Sequence, residues 1–111
     1  MPSIKLETSA PLTKEQEKEL ALAISSLCAK ELGKPESVVQ VRVESSMTIS
    51  FGGVADSSSA FLVIAFIGSV SEACAKTLPG KVGALLAPYG IDPKKIFLRY
   101  MGSDASCWGW N

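Results

Sequence analysis

Apolar and polar residues alternate from the first positions of the chain. Ile4, Leu6 and Thr8 share one side and Lys5 and Glu7 the other, which predicts a half-buried strand at the N-terminus. After Pro11 the period changes. Thr13 and Gln16 stand three residues apart, hydroxyl first and amide second, the spacing of a helix capping box. Leu20, Ile24, Leu27, Cys28 and Leu32 then recur at helical intervals, and Gly33 followed by Pro35 stops the helix. Val39, Val41 and Val43, interleaved with Gln40, Arg42 and Glu44, predict a second strand. From Ser45 to Ser59 the pattern loosens: a short strand is expected around Thr48–Phe51, then a loop through Gly52, Gly53 and the Ser57-Ser58-Ser59 run.

Ala60 to Ile67 (AFLVIAFI) is apolar at every position, and its length suits a strand covered on both faces. Ser69-Val70-Ser71-Glu72 has capping-box spacing again, so a second helix follows. Pro79-Gly80 falls inside that helix, and an interior proline costs about 3 kcal/mol, which predicts a break or kink near Leu78. Val82, Leu85 and Leu86 continue the apolar stripe, Pro88, Gly90 and Pro93 end it, and Ile96 to Met101 predicts the last long strand.

The two halves of the chain correspond at an offset of 57 residues: Ile4 with Phe61, Gly33 with Gly90, Val39 with Ile96, Val43 with Tyr100. Residues 1–111 therefore read as one α+β domain, a βαββαβ pseudo-repeat over roughly 2–45 and 59–102. Right-handed crossovers make the strands of each unit parallel and put both helices on one face of a four-stranded mixed sheet. The other face is bare in a single chain. Since Ala60 to Ile67 is apolar on both sides, self-association is the simplest way to cover it.

Composition narrows the function. Eleven Lys and Arg balance eleven Asp and Glu. That neutrality argues against a nucleic-acid binder and against a protein held on a membrane surface by a basic face. The longest apolar run is too short to span a bilayer, and the N-terminus lacks the basic-then-apolar plan of a secretory signal. A cytoplasmic protein is expected, secretion without a signal peptide being the alternative. There is no histidine, so Ser-His-Asp triads, Cys-His dyads and histidine-ligated metals are excluded. Cys28, Cys74 and Cys107 show no CxxC spacing and are expected to be reduced, buried thiols.

Carboxylates, lysines, tyrosines, thiols and the α-amine remain for acid–base work. Residue 2 is proline, so removal of Met1 would leave a secondary amine at the start of a strand. In an apolar setting beside cations such an amine gives up its proton more readily and can serve as a base near neutral pH.

Pro2 ahead of an alternating strand, Gly33-Lys34-Pro35, Ser50-Phe51-Gly52-Gly53, Ile67-Gly68 and the Trp108-Gly109-Trp110-Asn111 tail occur in an order that resembles the macrophage migration inhibitory factor (MIF) family of the tautomerase superfamily. The resemblance runs over essentially the whole chain. It implies a homotrimer of βαββαβ subunits with sites at the subunit interfaces, and no metal or organic cofactor. Pro2 would be the general base of a keto–enol tautomerase acting on α-keto acids such as phenylpyruvate. Lys34 would bind the substrate carboxylate, the Ile67 backbone N–H would donate to the same region, and Trp108 and Trp110 would form pocket walls.

Phe97 and Arg99 align with positions that reach in from the adjacent subunit, where the family usually has Tyr and Asn. Phe97 keeps an aromatic wall without the hydroxyl, and Arg99 adds a fork able to grip a carboxylate. Arg at that place also occurs in the D-dopachrome tautomerase branch. Val38 stands near a family tyrosine, and the chain stops at Asn111, short of a pocket aromatic. The CxxC of vertebrate members is missing, with Ser59 and Leu62 in its place. The alternatives are a cytokine-like, receptor-binding trimer with a vestigial site, and an unrelated βαββαβ domain without catalysis.

Overall fold

The computed structural model describes residues 1–111. Its first half is β1 (Ser3–Thr8), α1 (Lys14–Leu32) and β2 (Gln40–Glu44); its second half is β3 (Ala60–Ile67), α2 (Glu72–Leu86) and β4 (Ile96–Ser103). The strands lie in the order β2-β1-β3-β4. β1 runs parallel to β2 and β3 parallel to β4, and the halves join antiparallel with Ile4 opposite Ile64 and Leu6 opposite Leu62.

The period-2 pattern decides which face is covered. Ile4, Leu6, Leu62, Ile64 and Phe66 turn inward to meet Leu20, Ile24 and Cys28 of α1 and Leu78, Val82 and Leu86 of α2. Both helices therefore sit on this face. The other face carries Lys5, Glu7, Phe61, Val63, Phe97, Arg99 and Met101, with Phe97 62% and Met101 44% exposed. Within one chain β3 is covered on one side only, contrary to the double burial its sequence suggested, because both crossovers place their helix on the same side.

α1 forms as its ends dictate. Gln16 N–H donates to Thr13 Oγ1 at 3.1 Å and Thr13 N–H to Gln16 Oε1 at 2.9 Å, the reciprocal box. Gly33, at φ 65°, takes the left-handed turn that ends the helix. α2 departs from expectation twice. Its cap is Ser71, whose Oγ accepts from Cys74 N–H at 3.1 Å, so Ser69 stays in the preceding loop. And the break expected near Leu78 does not occur: the helix runs through Pro79 to Leu86. Pro79 has no N–H for the carbonyl four residues back, Ala75. Tyr100 of β4 supplies the missing donor, its hydroxyl 3.0 Å from the Ala75 oxygen.

Two further expectations are corrected. No strand forms at Thr48–Phe51; Phe51 instead bridges Val54 across Gly52 and Gly53, at φ 61° and 79°, in a tight two-residue turn. The chain leaves the sheet after Met47 N–H reaches Thr8 O, so the residues that follow have no strand to pair with. The thiols also differ from one another. All three are free, but only Cys28 is buried; Cys74 is half-buried and Cys107 is exposed in a surface turn.

Two stability predictions follow from this packing. Tyr100→Phe strips Ala75 of its donor and is expected to cost about 1–3 kcal/mol in urea unfolding. In a Pro79→Ala background the restored amide satisfies Ala75, and the same substitution should cost clearly less. Burial pushes the Cys28 thiol from 9.0 up to about 12, with Cys74 and Glu31 adding to the effect. The Tyr100 phenol is raised as well, by burial first and then by the two thiols. Both acids are harder to ionise folded than unfolded, so their contribution is whole below about pH 9 and is lost as pH climbs toward 12. Unfolding free energy measured across that window should fall, and Cys28→Ala should flatten the decline.

Candidate active site

The start of β1 lies in an apolar corner. The Pro2 side chain is fully buried, and its carbonyl accepts Gln40 N–H at 3.0 Å, so the sheet ladder holds it in place. β1 pairs with β3 with Ser3 opposite Ala65; the same register carried backward sets Pro2 opposite Phe66 and Met1 opposite Ile67. Phe66 is also one wall of a pocket of about 250 Å³, whose other walls include Leu32, Lys34, the Ser69–Ser71 loop and Cys74.

Lys34 reaches that pocket because Gly33 reverses the chain. The Lys34 amide then returns to Ala29 O at 2.9 Å, which fixes its backbone. Glu31 also lines the pocket but is ion-paired with Lys81 of α2 at 2.7 Å. Lys34 has no acidic partner and is the pocket's free cation.

At the same end of the sheet, Gly68 N–H donates to Ser103 O at 3.0 Å and closes the β3–β4 ladder. Neighbouring amides in a strand point opposite ways, so the Ile67 N–H faces away from β4, toward the β1 side of the strand. The turn has a tight seat: a Cβ on Gly102 would lie 2.1 Å from the Gly68 oxygen. Trp108 belongs to this end too, its Nε1–H donating to Ser103 Oγ at 3.0 Å. Trp110 is 65% exposed and packs against nothing comparable.

Phe97 and Arg99 stand apart from this corner. Phe97 is in register with Phe61 and Glu7, five residues along β1 from Pro2, or about 17 Å. Arg99 is in register with Val63 and Lys5, three residues from Pro2, or about 10 Å, with two strand spacings of about 4.8 Å added. Both project from the open face, and the Pro2 side chain points to the helix side. A single chain thus brings Pro2, Lys34, Ile67 and Trp108 to one end of the sheet and leaves Phe97 and Arg99 on the open face, away from it. Arg99 shares its row with Lys5 and Arg42, a cationic stripe next to the Glu7 and Glu44 row; Lys5 lies 3.9 Å from Glu7, while Arg42 and Arg99 have no acidic partner.

Three features of the site were not marked by sequence reasoning. The hydroxyls of Ser69 and Ser71 and the Cys74 thiol line the pocket because the loop before α2 folds over it. Phe51 was visible in its Phe-Gly-Gly motif, but its partner Phe97, at 5.2 Å between ring centroids, was not. Gly102 reads only as a weak strand residue until the Gly68 carbonyl is seen against it. Chemically, the corner offers a cation for an anionic group and, with Met1 removed, an amine in an apolar setting.

The chain matches the family described as Macrophage migration inhibitory factor (MIF) over residues 1–111. It is 31% identical over 112 aligned residues to the macrophage migration inhibitory factor homolog of Brugia malayi, covering 100% of this chain and 96% of that protein. Its fold superposes on the MIF-like protein of Entamoeba histolytica with a TM-score of 0.89 at 27% identity, covering 99% of this chain and 95% of that one. MIF2 of Leishmania major gives a TM-score of 0.88 at 26% identity, over 100% and 94% of the respective chains. Full-length agreement in sequence and in βαββαβ topology places this chain in the MIF family, with the fold of the tautomerase superfamily.

Proposed function

We propose that the protein is a keto–enol tautomerase of phenylpyruvate-like α-keto acids, working as a homotrimer with Pro2 as general base. The observation that carries this reading is that Pro2 is fully buried at the end of the sheet where Phe66 and Lys34, a cation with no acidic partner, line one pocket. MIF-family membership supports it. With Met1 removed, the Pro2 amine takes the enol O–H proton and returns a proton to the carbon next to the carbonyl, or the reverse. Lys34 holds the carboxylate, and positive charge beside the developing enolate stabilises it. The Ile67 N–H adds a donor to the same region. Phe97 and Arg99 come from the neighbouring subunit, which explains why one chain leaves them so far from Pro2. Trp108, tied to Ser103 at the same end of the sheet, and the exposed Trp110 are assigned as outer walls on the strength of the family resemblance.

Pro2→Ala is expected to lower kcat/KM for phenylpyruvate by about 100-fold or more, the scale of a general base. Lys34→Ala should act mainly on KM, raising it about 10- to 100-fold, as loss of a charged hydrogen bond would. Protein whose N-terminal mass includes Met1 should be inactive. A processed wild type that leaves phenylpyruvate unchanged would move the reading to receptor binding. Gly102→Ala should push the Ile67–Gly68 turn out of place and reduce kcat/KM by roughly tenfold, while circular dichroism keeps its wild-type shape.

A further inference from the structure

Phe97 is a large aromatic side chain, 62% exposed, on the face of the sheet that neither helix covers. Such a side chain has free rotation about two bonds unless a neighbour fixes it. Its ring meets one other aromatic ring, Phe51, with centroids 5.2 Å apart and planes tilted by 38°. Phe51 is itself well anchored. Its N–H donates to Val54 O at 2.8 Å, and Val54 N–H returns to Phe51 O at 3.1 Å. Between them Gly52 and Gly53 hold left-handed φ values of 61° and 79°, where other residues are strained. The turn is therefore a rigid mount, half-buried, and Phe97 leans on it.

We infer that Phe51 is a positioning residue: it fixes the ring of Phe97, and so sets how strongly the site prefers aryl over alkyl α-keto acids. This rests on the reading that Phe97 walls the pocket of a neighbouring subunit. An alkyl α-keto acid has no ring to meet that wall and does not sense its orientation. An aryl one does, and the loss of an oriented aromatic contact is a change of about three- to tenfold in affinity. Phe51 itself touches neither Pro2 nor Lys34, so the chemical step is unaffected.

The test is steady-state kinetics of Met1-processed protein on phenylpyruvate and on 4-methyl-2-oxopentanoate. Phe51→Leu is expected to raise KM for the aryl substrate about three- to tenfold, leave both kcat values within about twofold, and leave the alkyl KM unchanged. Phe51→Tyr, which keeps the ring, should retain the wild-type preference. Phe97→Leu alters an exposed position, keeps the fold, and should lower the preference by the same factor. In that background Phe51→Leu should add nothing. An unchanged aryl-to-alkyl ratio in Phe51→Leu overturns the role of Phe51 alone, as does an equal loss on both substrates. A processed wild type that turns over neither substrate overturns the proposed activity, and this role with it.

Discussion

Everything distinctive about this chain follows from a sheet covered on one side only. Two right-handed strand–helix–strand units joined through β1 and β3 must put both helices on the same face. The opposite face keeps Phe61, Val63, Phe97 and Met101, and burying such residues is worth roughly 25 cal/mol per Å² of apolar surface. The same geometry separates two groups of proposed site residues. Pro2 and Lys34 face the helix side at one end of the sheet; Phe97 and Arg99 face the bare side, strands away. Covering the face with further copies of the chain and completing the site are then one event, which is why the proposed function and the proposed trimer stand together.

On the helix side, the core solves a problem that its own sequence creates. Pro79 deprives α2 of an internal hydrogen bond, and a tyrosine on β4 returns it. The bond ties helix to strand next to Cys28 and Cys74, in an interior dry enough to raise the Cys28 thiol to about 12. The strand that carries Tyr100 inward carries Arg99 and Met101 outward, so a bond that steadies α2 also steadies the open face. Cys74 touches both regions, lining the pocket while its thiol donates to Glu31 O at 3.5 Å.

Much of this was legible beforehand where local chemistry decides structure. The alternation through Leu6, the Thr13–Gln16 box, Gly33 and the eight apolar residues from Ala60 mark β1, α1 and β3 without reference to anything distant. What failed were features settled by distant partners. Pro79 reads as a helix breaker because Tyr100, its remedy, lies 21 positions away on another element. Ser69 and Ser71 both have cap chemistry, and only the path of the loop over the pocket chooses Ser71. Thr48–Phe51 has strand-like residues but no strand beside it. At the site, Pro2 and Lys34 came from the resemblance together with a chemical argument, whereas Phe51 and Gly102 owe their importance to contacts across the sheet.

The most direct test is complementation between two inactive proteins. Pro2→Ala lacks the base but keeps the outward wall; a Phe97→Ala, Arg99→Ala double variant keeps the base but lacks the wall. Co-expressed, they form mixed assemblies in which some sites join an intact corner to an intact wall from the next chain. Phenylpyruvate tautomerase activity that reappears on co-expression, and is absent from either protein alone, is the result expected of a site shared between copies. No recovery from assemblies that mass spectrometry shows to be mixed would contradict it, and would mean that each chain works, or fails to work, by itself.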